Sequence, residues 1–145
     1  LQSAQQRVSV PLLQADALRL PFADSSVDGV TCGFALRNLV TLSPFFDELA
    51  RVLRPGGRIA LLDASTPTSP ALRFGHRLYF GKVVPLIGGI LSDRSAYHYL
   101  PNSLAYMPSN DELLEMGRNA GFSTVQRETF CGGAAHLITA TRSAK

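Results

Sequence analysis

A helix pattern, a Pro-Gly-Gly stop and a buried strand pattern follow one another between residues 43 and 65, and this order limits the possible folds most. Ser43 and Pro44 predict a helix start, with the serine hydroxyl as N-cap and proline at the first helical position. Apolar side chains then recur at helical spacing at Phe46, Leu49, Ala50 and Leu53. "RPGG" ends the helix, and "RIALLDAS" predicts a buried strand. Helices that alternate with buried strands indicate a mainly parallel α/β sheet.

The other patterns along the chain extend this one. "VSVPLLQAD" predicts an edge or terminal strand, and "VDGVTCGFAL" predicts a strand buried on both faces. Residues 70–92 predict one or two helices. "PSNDELLEMGRNAGF" predicts a helix with a capping box from Ser109 to Glu112 and a stop at Gly121. "FSTVQRETF" and "AAHLITATR" predict an antiparallel terminal hairpin, so the chain of 145 residues predicts one α/β domain.

Composition and charge exclude several classes of protein. The formal net charge is +3 and the charged residues are scattered, which argues against a nucleic-acid surface. The surroundings of the two cysteines, Cys32 and Cys131, predict reduced core thiols rather than a disulfide framework. His76 and His136 lack partners at metal-ligand spacing. The longest uncharged run is too short to cross a bilayer and Pro85 interrupts it. We therefore expect a cytoplasmic protein without a metal.

Arg37 and Asn38 interrupt the apolar stretch "GFALRNLV", and an arginine is costly to bury without a partner. One interpretation pairs Arg37 with Asp63 or Asp16, so that it ties two strand ends together. The other places both side chains at a ligand. Asp16 lies at the end of a predicted strand. Its pattern fits a turn or N-cap residue and a ligand acceptor equally well.

Four blocks in one order carry a family resemblance: "DALRLPFADSSVD", "GFALRNL", "RVLRPGGRIALLDAS" and "YHYLPNSLAYMPSNDELLEMGRNAGF". Together they resemble the UbiE-type methyltransferases of ubiquinone and menaquinone synthesis, which are class I S-adenosylmethionine-dependent enzymes. The third block departs conservatively, with Arg54 in place of the usual lysine and Asp63 in place of the usual glutamate. The resemblance covers about residues 12–142 and implies a Rossmann-like methyltransferase sheet.

The resemblance implies how S-adenosylmethionine would be held. Asp16 would accept a hydrogen bond from the adenine amine, and the backbone N–H of Ala17 or Leu18 would donate to a ring nitrogen. Gly33 falls where the fourth strand of such enzymes ends beside the cofactor. Many relatives have serine there, so Gly33 would keep only backbone contacts.

The implied reaction is C-methylation of a prenylated quinol. Arg37 stays protonated, so its donors would stabilise the quinol oxyanion or hold a water, and Asn38 would donate to the same oxygen or orient Arg37. Tyr97 and Tyr99 would cover the ring, although aromatic side chains in such a stretch are more often packing residues.

The region around residues 73–84 predicts either a helix packed on the sheet or an apolar patch with a cationic fringe. Such a patch would rest on the inner face of the membrane or on a partner, so peripheral membrane contact and a homodimer both stay open.

The same resemblance implies that the glycine-rich cofactor loop and the first two strands lie upstream of Leu1. We therefore expect residues 1–145 to be a single partial methyltransferase domain, the C-terminal portion of the sheet. Two alternatives remain: a class I methyltransferase for another lipid or small molecule, and a non-catalytic module for dimerisation or lipid binding.

Overall fold

The computed structural model describes residues 6–7, 9–65, 67, 69, 75 and 107–144. In chain order the elements are β1 (Val27–Gly33), a 3-10 helix (Leu36–Asn38), α1 (Ser43–Val52), β2 (Leu53–Ala64), α2 (Asn110–Asn119), β3 (Phe122–Phe130), a second 3-10 turn (Cys131–Gly133) and β4 (Ala135–Arg142). The four strands form one sheet in the order β1-β2-β4-β3.

The directions of the strands confirm the predicted fold class. β1 and β2 are parallel, β4 is antiparallel to β2, and β3 is antiparallel to β4. Three strands therefore run one way and only β4 runs against them. The predicted terminal hairpin is present as the β3–β4 pair, joined through the turn at Cys131–Gly133.

The hydrophobic core lies between one face of the sheet and the two helices. Alternate residues of β2 and β4 face it, and Leu61 is paired with Ile138 and Ile59 with Ala140 across the strands. Phe46 of α1 joins this cluster and is fully buried. Alternation of this kind places every second side chain of a strand on the same face.

Helix α2 has the predicted capping box. The Ser109 hydroxyl accepts from the Glu112 N–H, and the Glu112 carboxylate accepts from the Ser109 N–H at 2.7 Å. Gly121, just after the helix, has a φ of +89°, which glycine adopts without strain. All the information for these caps is local, which is why the sequence predicted them.

Helix α1 is present, but its predicted cap is wrong. The helix includes Ser43, Leu42 occupies the N-cap position, and no side chain caps the helix. Pro44 still lies in the first turn, where its missing N–H costs no helical hydrogen bond. The apolar face, with Phe46 and Leu49 buried, is as predicted.

The "RPGG" segment is a bulge inside β2 rather than a turn before it. β2 begins at Leu53, which pairs with Val27, and the next pair in the ladder joins Gly29 to Arg58. The extra residues of β2 in this gap require Gly56 at a φ of +80°. The predicted end of the helix was right, and the predicted start of the strand was too late.

Among the described residues, the strand predicted at residues 8–16 is absent, and β1 is present but its predicted burial is wrong. "VSVPLLQAD" forms no strand, and its described part makes only an isolated bridge between Asp16 and Arg19. A strand exists only where a neighbour accepts its hydrogen bonds, and β1 at the edge of the described sheet pairs only with β2. β1 was expected to be buried on both faces, but each of its residues is either half-buried or exposed.

Several predictions fall outside the described residues. These are the helices of residues 70–92, the basic and apolar patch of residues 73–84, Tyr97 and Tyr99, and His76. Within the described part of the chain, no helix is long and apolar enough to span a membrane.

Candidate active site

Arg37, just after the end of β1, forms an ion pair with Asp63, which lies near the end of β2. The Arg37 Nη1 lies 2.6 Å from Asp63 Oδ1, and the Arg37 backbone N–H donates to Asp63 Oδ2 at 3.2 Å. The Asp63 side chain is fully buried, and 12% of the Arg37 side chain is exposed. The alternative interpretation of the sequence, in which Arg37 ties two strand ends together, therefore describes a contact that is present.

The surroundings of this pair fix the orientation of the guanidinium. Asp63 Oδ1 also accepts the N–H of Ala64 at 2.7 Å, and the Arg37 guanidinium lies over the Phe34 ring at 5.5 Å from its centroid. Of the guanidinium nitrogens, only Nη1 makes a hydrogen bond to a described residue, and the buried Nε makes none. Arg37 thus keeps donor groups beyond those that Asp63 uses.

Asn38 lies beside Arg37 in the same 3-10 helix and is exposed. Its Nδ2 donates to the Phe34 carbonyl oxygen at 3.4 Å. This bond closes the turn after β1.

His136 on β4 is the cross-strand neighbour of Asp63 on β2, and it is buried. Its Nδ1 accepts from Nε of Arg127 at 3.1 Å, so the proton of the neutral ring is on Nε2. Burial lowers the pKa of His136, and the Arg127 charge lowers it further, while the Asp63 charge acts in the opposite direction. His136 is therefore neutral at pH 7, and Asp63 has Arg37 as its cationic partner.

Cys32 lies on the same face of the sheet, beside Leu61. Burial raises the pKa of its thiol, and the negative charge of Asp63 raises it further. Cys32 is therefore a neutral thiol at pH 7. Both cysteines are free, as predicted, but the prediction that Cys131 belongs to the core is wrong, because it is exposed. No group of three or more His, Cys, Asp or Glu side chains within the described ranges could hold a metal ion.

The three predicted cofactor residues lie on two segments. Gly33 ends β1, and a Cβ built on it would meet nothing within 4 Å. Asp16 and Ala17 lie in a turn, where Asp16 Oδ1 accepts the N–H of Leu18 at 2.9 Å. Asp16 is thus a turn residue, as one interpretation held. No hydrogen bond within the described residues joins it to Gly33 or Arg37.

An ion pair on α1 holds the segment that carries Asp16. Glu48 Oε1 accepts the N–H of Leu20 at 2.6 Å, and Arg51 Nη2 donates to the Leu20 carbonyl at 3.0 Å. Arg51 Nη1 donates to the Phe22 carbonyl and to Asp24 as well. We call Glu48 and Arg51 the α1 clamp.

The two residues of the α1 clamp also bind each other. Arg51 Nη2 lies 2.7 Å from Glu48 Oε1. This contact lowers the pKa of the Glu48 carboxyl and raises that of Arg51. Neither Glu48 nor Arg51 was predicted from the sequence to bind another segment of the chain. The available signal was a glutamate on the buried face of an amphipathic helix, between Phe45, Phe46 and Leu49.

A cavity of about 340 Å³ lies between the 3-10 helix after β1, the start of α1 and the residues that precede α2. Its lining residues are Leu36, Arg37, Leu39, Val40, Thr41, Leu42, Ser43, Pro44, Met107, Pro108 and Met116. Among the described lining residues Arg37 alone is charged, and it is paired with Asp63.

The comparison with known families covers almost the whole chain. The profile of the ubiE/COQ5 methyltransferase family matches residues 2–142. The chain belongs to this family.

Curated relatives in this family are 39–46% identical to this chain over the aligned residues. The demethylmenaquinone methyltransferase of Roseiflexus castenholzii is 46% identical over 86% of this chain and 52% of its own length. That of Desulfitobacterium hafniense is 40% identical over 92% of this chain and 53% of its own length. The ubiquinone/menaquinone biosynthesis C-methyltransferase UbiE of Syntrophotalea carbinolica is 39% identical, over 92% of this chain and 56% of its own. The chain thus spans about half the length of these relatives.

Solved structures confirm the fold of this ubiE/COQ5 family member. A putative methyltransferase from Haloferax volcanii, solved with the Trm112 activator, matches with a TM-score of 0.68 at 16% identity over 99% of this chain and 67% of its own. A S-adenosylmethionine-dependent methyltransferase from Thermotoga maritima matches with a TM-score of 0.66 at 18% identity over 98% of this chain and 68% of its own. The family resemblance drawn from the four sequence blocks is confirmed by the family profile and the curated relatives.

Proposed function

We propose that the protein to which this chain belongs transfers a methyl group from S-adenosylmethionine to a ring carbon of a prenylated quinol, either demethylmenaquinol or a ubiquinone precursor. The observation that carries this proposal is the 39–46% identity to relatives named for that reaction. Residues 1–145 would form one partial methyltransferase domain, and the glycine-rich loop would lie upstream of Leu1.

The described residues fit S-adenosylmethionine. The exposed Asp16 uses Oδ1 for the Leu18 N–H, and its other carboxylate oxygen, Oδ2, makes no hydrogen bond to a described residue. That oxygen can accept the adenine amine, while the N–H of Ala17 donates to a ring nitrogen. Gly33 offers open space at the carboxyl end of β1, where ligands of open α/β sheets bind. When bound, the cofactor supplies the electrophilic methyl group.

Arg37 is the residue that we assign to the acceptor. In the reaction a quinol carbon forms a bond to the methyl carbon, the sulfur–methyl bond breaks, and the ring carbon then loses its proton. The quinol becomes nucleophilic when a neighbouring hydroxyl is deprotonated, and the donors of Arg37 that Asp63 does not use can stabilise that oxyanion. Asn38, in the same 3-10 helix, would orient Arg37 or donate to the same oxygen.

The test is methyl transfer by the whole protein, with labelled S-adenosylmethionine and demethylmenaquinol or its ubiquinone counterpart. Arg37→Ala should lower methyl transfer far more than it lowers cofactor affinity. Asp16→Ala, at the cofactor end, should do the reverse. Equal and small effects of Arg37→Ala on both quantities would contradict its role, and no transfer by the unchanged protein to either quinol would contradict the function.

The chain alone should bind S-adenosylmethionine weakly or undetectably, because the glycine-rich loop would be missing from it. Calorimetry on the 145-residue chain checks this. A submillimolar affinity would contradict the partial-domain proposal. Sequencing of the gene upstream of Leu1 provides an independent check, since the enzyme requires a glycine-rich turn after a strand there.

The acceptor also suggests where the protein works. A prenylated quinol lives in the bilayer, so we place the protein in the cytoplasm with peripheral contact at the inner face of the membrane and no role for nucleic acid. Binding of the whole protein to anionic vesicles would support this contact, and its absence even on such vesicles would contradict it. Tyr97 and Tyr99 would cover the quinol ring, and a homodimer would be compatible with this arrangement.

A further inference from the structure

The cavity beside Arg37 has the size and composition of a site for an apolar group. Its volume of about 340 Å³ is near the lower end of the range for small-molecule sites. Most of its wall is aliphatic or thioether in character, with Leu36, Leu39, Val40, Met107 and Met116 among the lining residues. The described lining residues include no carboxylate, so none of them would favour a cationic occupant.

We propose that this cavity holds the hydrocarbon tail of the methyl acceptor, with the acceptor ring at the Arg37 end. This inference rests on the proposed function, because it assigns a part of that substrate to a place in the fold.

The location of the cavity supports this occupant. Its lining begins at Leu36, in the 3-10 helix that follows the carboxyl end of β1. Ligands of open α/β sheets bind beyond this edge. A tail in the cavity would therefore leave the attached ring on the side where Gly33 and Arg37 meet the substrate.

The distribution of charge supports an occupant with one polar end. Arg37 is the charged lining residue, and only its Nη1 is hydrogen-bonded to a described residue, which is Asp63. An oxygen on the ring can therefore use the remaining donors of Arg37. Beyond Arg37 the wall is mostly apolar, and it can cover only a group that does not need hydrogen bonds.

Apolar surface exposed at Val40 would be removed from water when a ligand binds in the cavity. Val40 is 100% exposed, although it is apolar and lines the cavity. Covering its side chain would remove apolar surface from water, at about 25 cal/mol per Å². Met107 and Met116 have unbranched, flexible side chains that adjust to the shape of a bound group.

The two methionines also provide the test. The chain contains only two methionines, and both line the cavity. Labelling of the methionine methyl carbons therefore gives two NMR signals that both report on the proposed site. We would titrate the 145-residue chain with geraniol, which is an isoprenoid tail without a ring, and with 1-naphthol, which is a ring without a tail.

Geraniol should shift both methyl signals in a saturable way, and 1-naphthol should shift them less. Val40→Asp places a carboxylate in the wall and should weaken geraniol binding roughly tenfold, the equivalent of 1.4 kcal/mol. Val10→Asp is the matched control, because Val10 is also exposed and does not line the cavity. It should leave the affinity for geraniol unchanged.

Results of three kinds would overturn the proposal. The first is no shift of either signal by geraniol, as expected if the chain's own residues filled the cavity. The second is equal binding of 1-naphthol, or an equal effect of the two aspartate variants. The third is a dependence of both signals on protein concentration without any probe, which would indicate that a second copy occupies the site. None of these readouts needs S-adenosylmethionine, so methyl transfer by the whole protein can succeed or fail independently of them.

Discussion

At the scale of single residues, the buried Asp63 is the centre of the candidate site. Arg37 neutralises it from the 3-10 helix, and the neutral His136 lies across the sheet from it. A buried ion pair gains less than its geometry suggests, because both charges lose their hydration. The main consequence of the ion pair is that removing either side chain leaves the other as an unpaired buried charge, which lowers the stability of the fold.

Arg37→Ala should therefore destabilise the chain by about 3–5 kcal/mol, since it leaves a buried carboxylate without its cation. The double variant Arg37→Met with Asp63→Leu should lose less stability than Arg37→Ala alone. Urea unfolding of Arg37→Ala, of the single variants Arg37→Met and Asp63→Leu, and of the double variant measures these free energies. If the effects of the two sites were simply additive, the ion pair would not be coupled in the way that its 2.6 Å contact indicates.

At the scale of secondary-structure elements, the two helices begin in different ways although both start with a Ser pattern. Ser109 caps α2 through its hydroxyl, whereas Ser43 is inside α1 and no side chain caps that helix. Ser109→Ala should cost about 1 kcal/mol of stability. Ser43→Ala is the matched control and should cost much less. Thermal unfolding of the two variants checks this, and equal losses would show that Ser43 caps α1 after all.

The bulge in β2 is a second feature at this scale. A Cβ on Gly57 would lie 2.9 Å from the Arg54 carbonyl oxygen and 3.0 Å from that of Asp28. Backbone atoms yield little, so Gly57→Ala should destabilise the chain by roughly 1–3 kcal/mol. Gly33→Ala should leave the melting temperature unchanged or higher, because its Cβ meets nothing within 4 Å. A tolerated Gly57→Ala would contradict the close approach of the strands at the bulge.

At the scale of the whole molecule, His136 links stability to pH. Its pKa is lowered from 6.5 in the folded chain, so below about pH 6.5 the unfolded chain takes up a proton that the folded chain refuses. The contribution of His136 to the free energy of unfolding should be constant above about pH 6.5. It should fall as the pH decreases toward the pKa of His136 in the folded chain. The melting temperature between about pH 7.5 and pH 5.5 measures the effect.

His136→Asn is the variant that isolates this effect. Its Oδ1 can accept from Arg127 as Nδ1 of the histidine does, but the amide does not titrate. The variant should lose less stability on acidification than the unchanged chain. Both proteins contain His76 and His98, so the difference between them reports on His136. An identical loss in both proteins would show that His136 already takes up its proton in the folded chain.

The sequence predicted those parts of the fold that depend on near neighbours. The capping box of Ser109 and Glu112, the apolar face of α1 and the pairing of β3 with β4 are all encoded within a few residues or in strong periodicity. It also named Asp63 as one possible partner of Arg37. The strand predicted at residues 8–16 failed because a strand depends on a neighbour elsewhere in the chain.

The α1 clamp could not be predicted for the same reason. Its bonds to Leu20 join residues 28 and 31 positions apart in the sequence. Only the packed chain brings them together. A glutamate on the apolar face of α1 indicated that a partner must exist, but it did not indicate which one.

The α1 clamp has one further consequence, which concerns the entropy of binding. Arg51 and Glu48 together fix the backbone at Leu20 and Phe22, close after Asp16. This segment therefore loses its conformational freedom when the chain folds. A ligand that binds at Asp16 meets a loop that is already ordered, so its affinity is not reduced by the cost of ordering that loop.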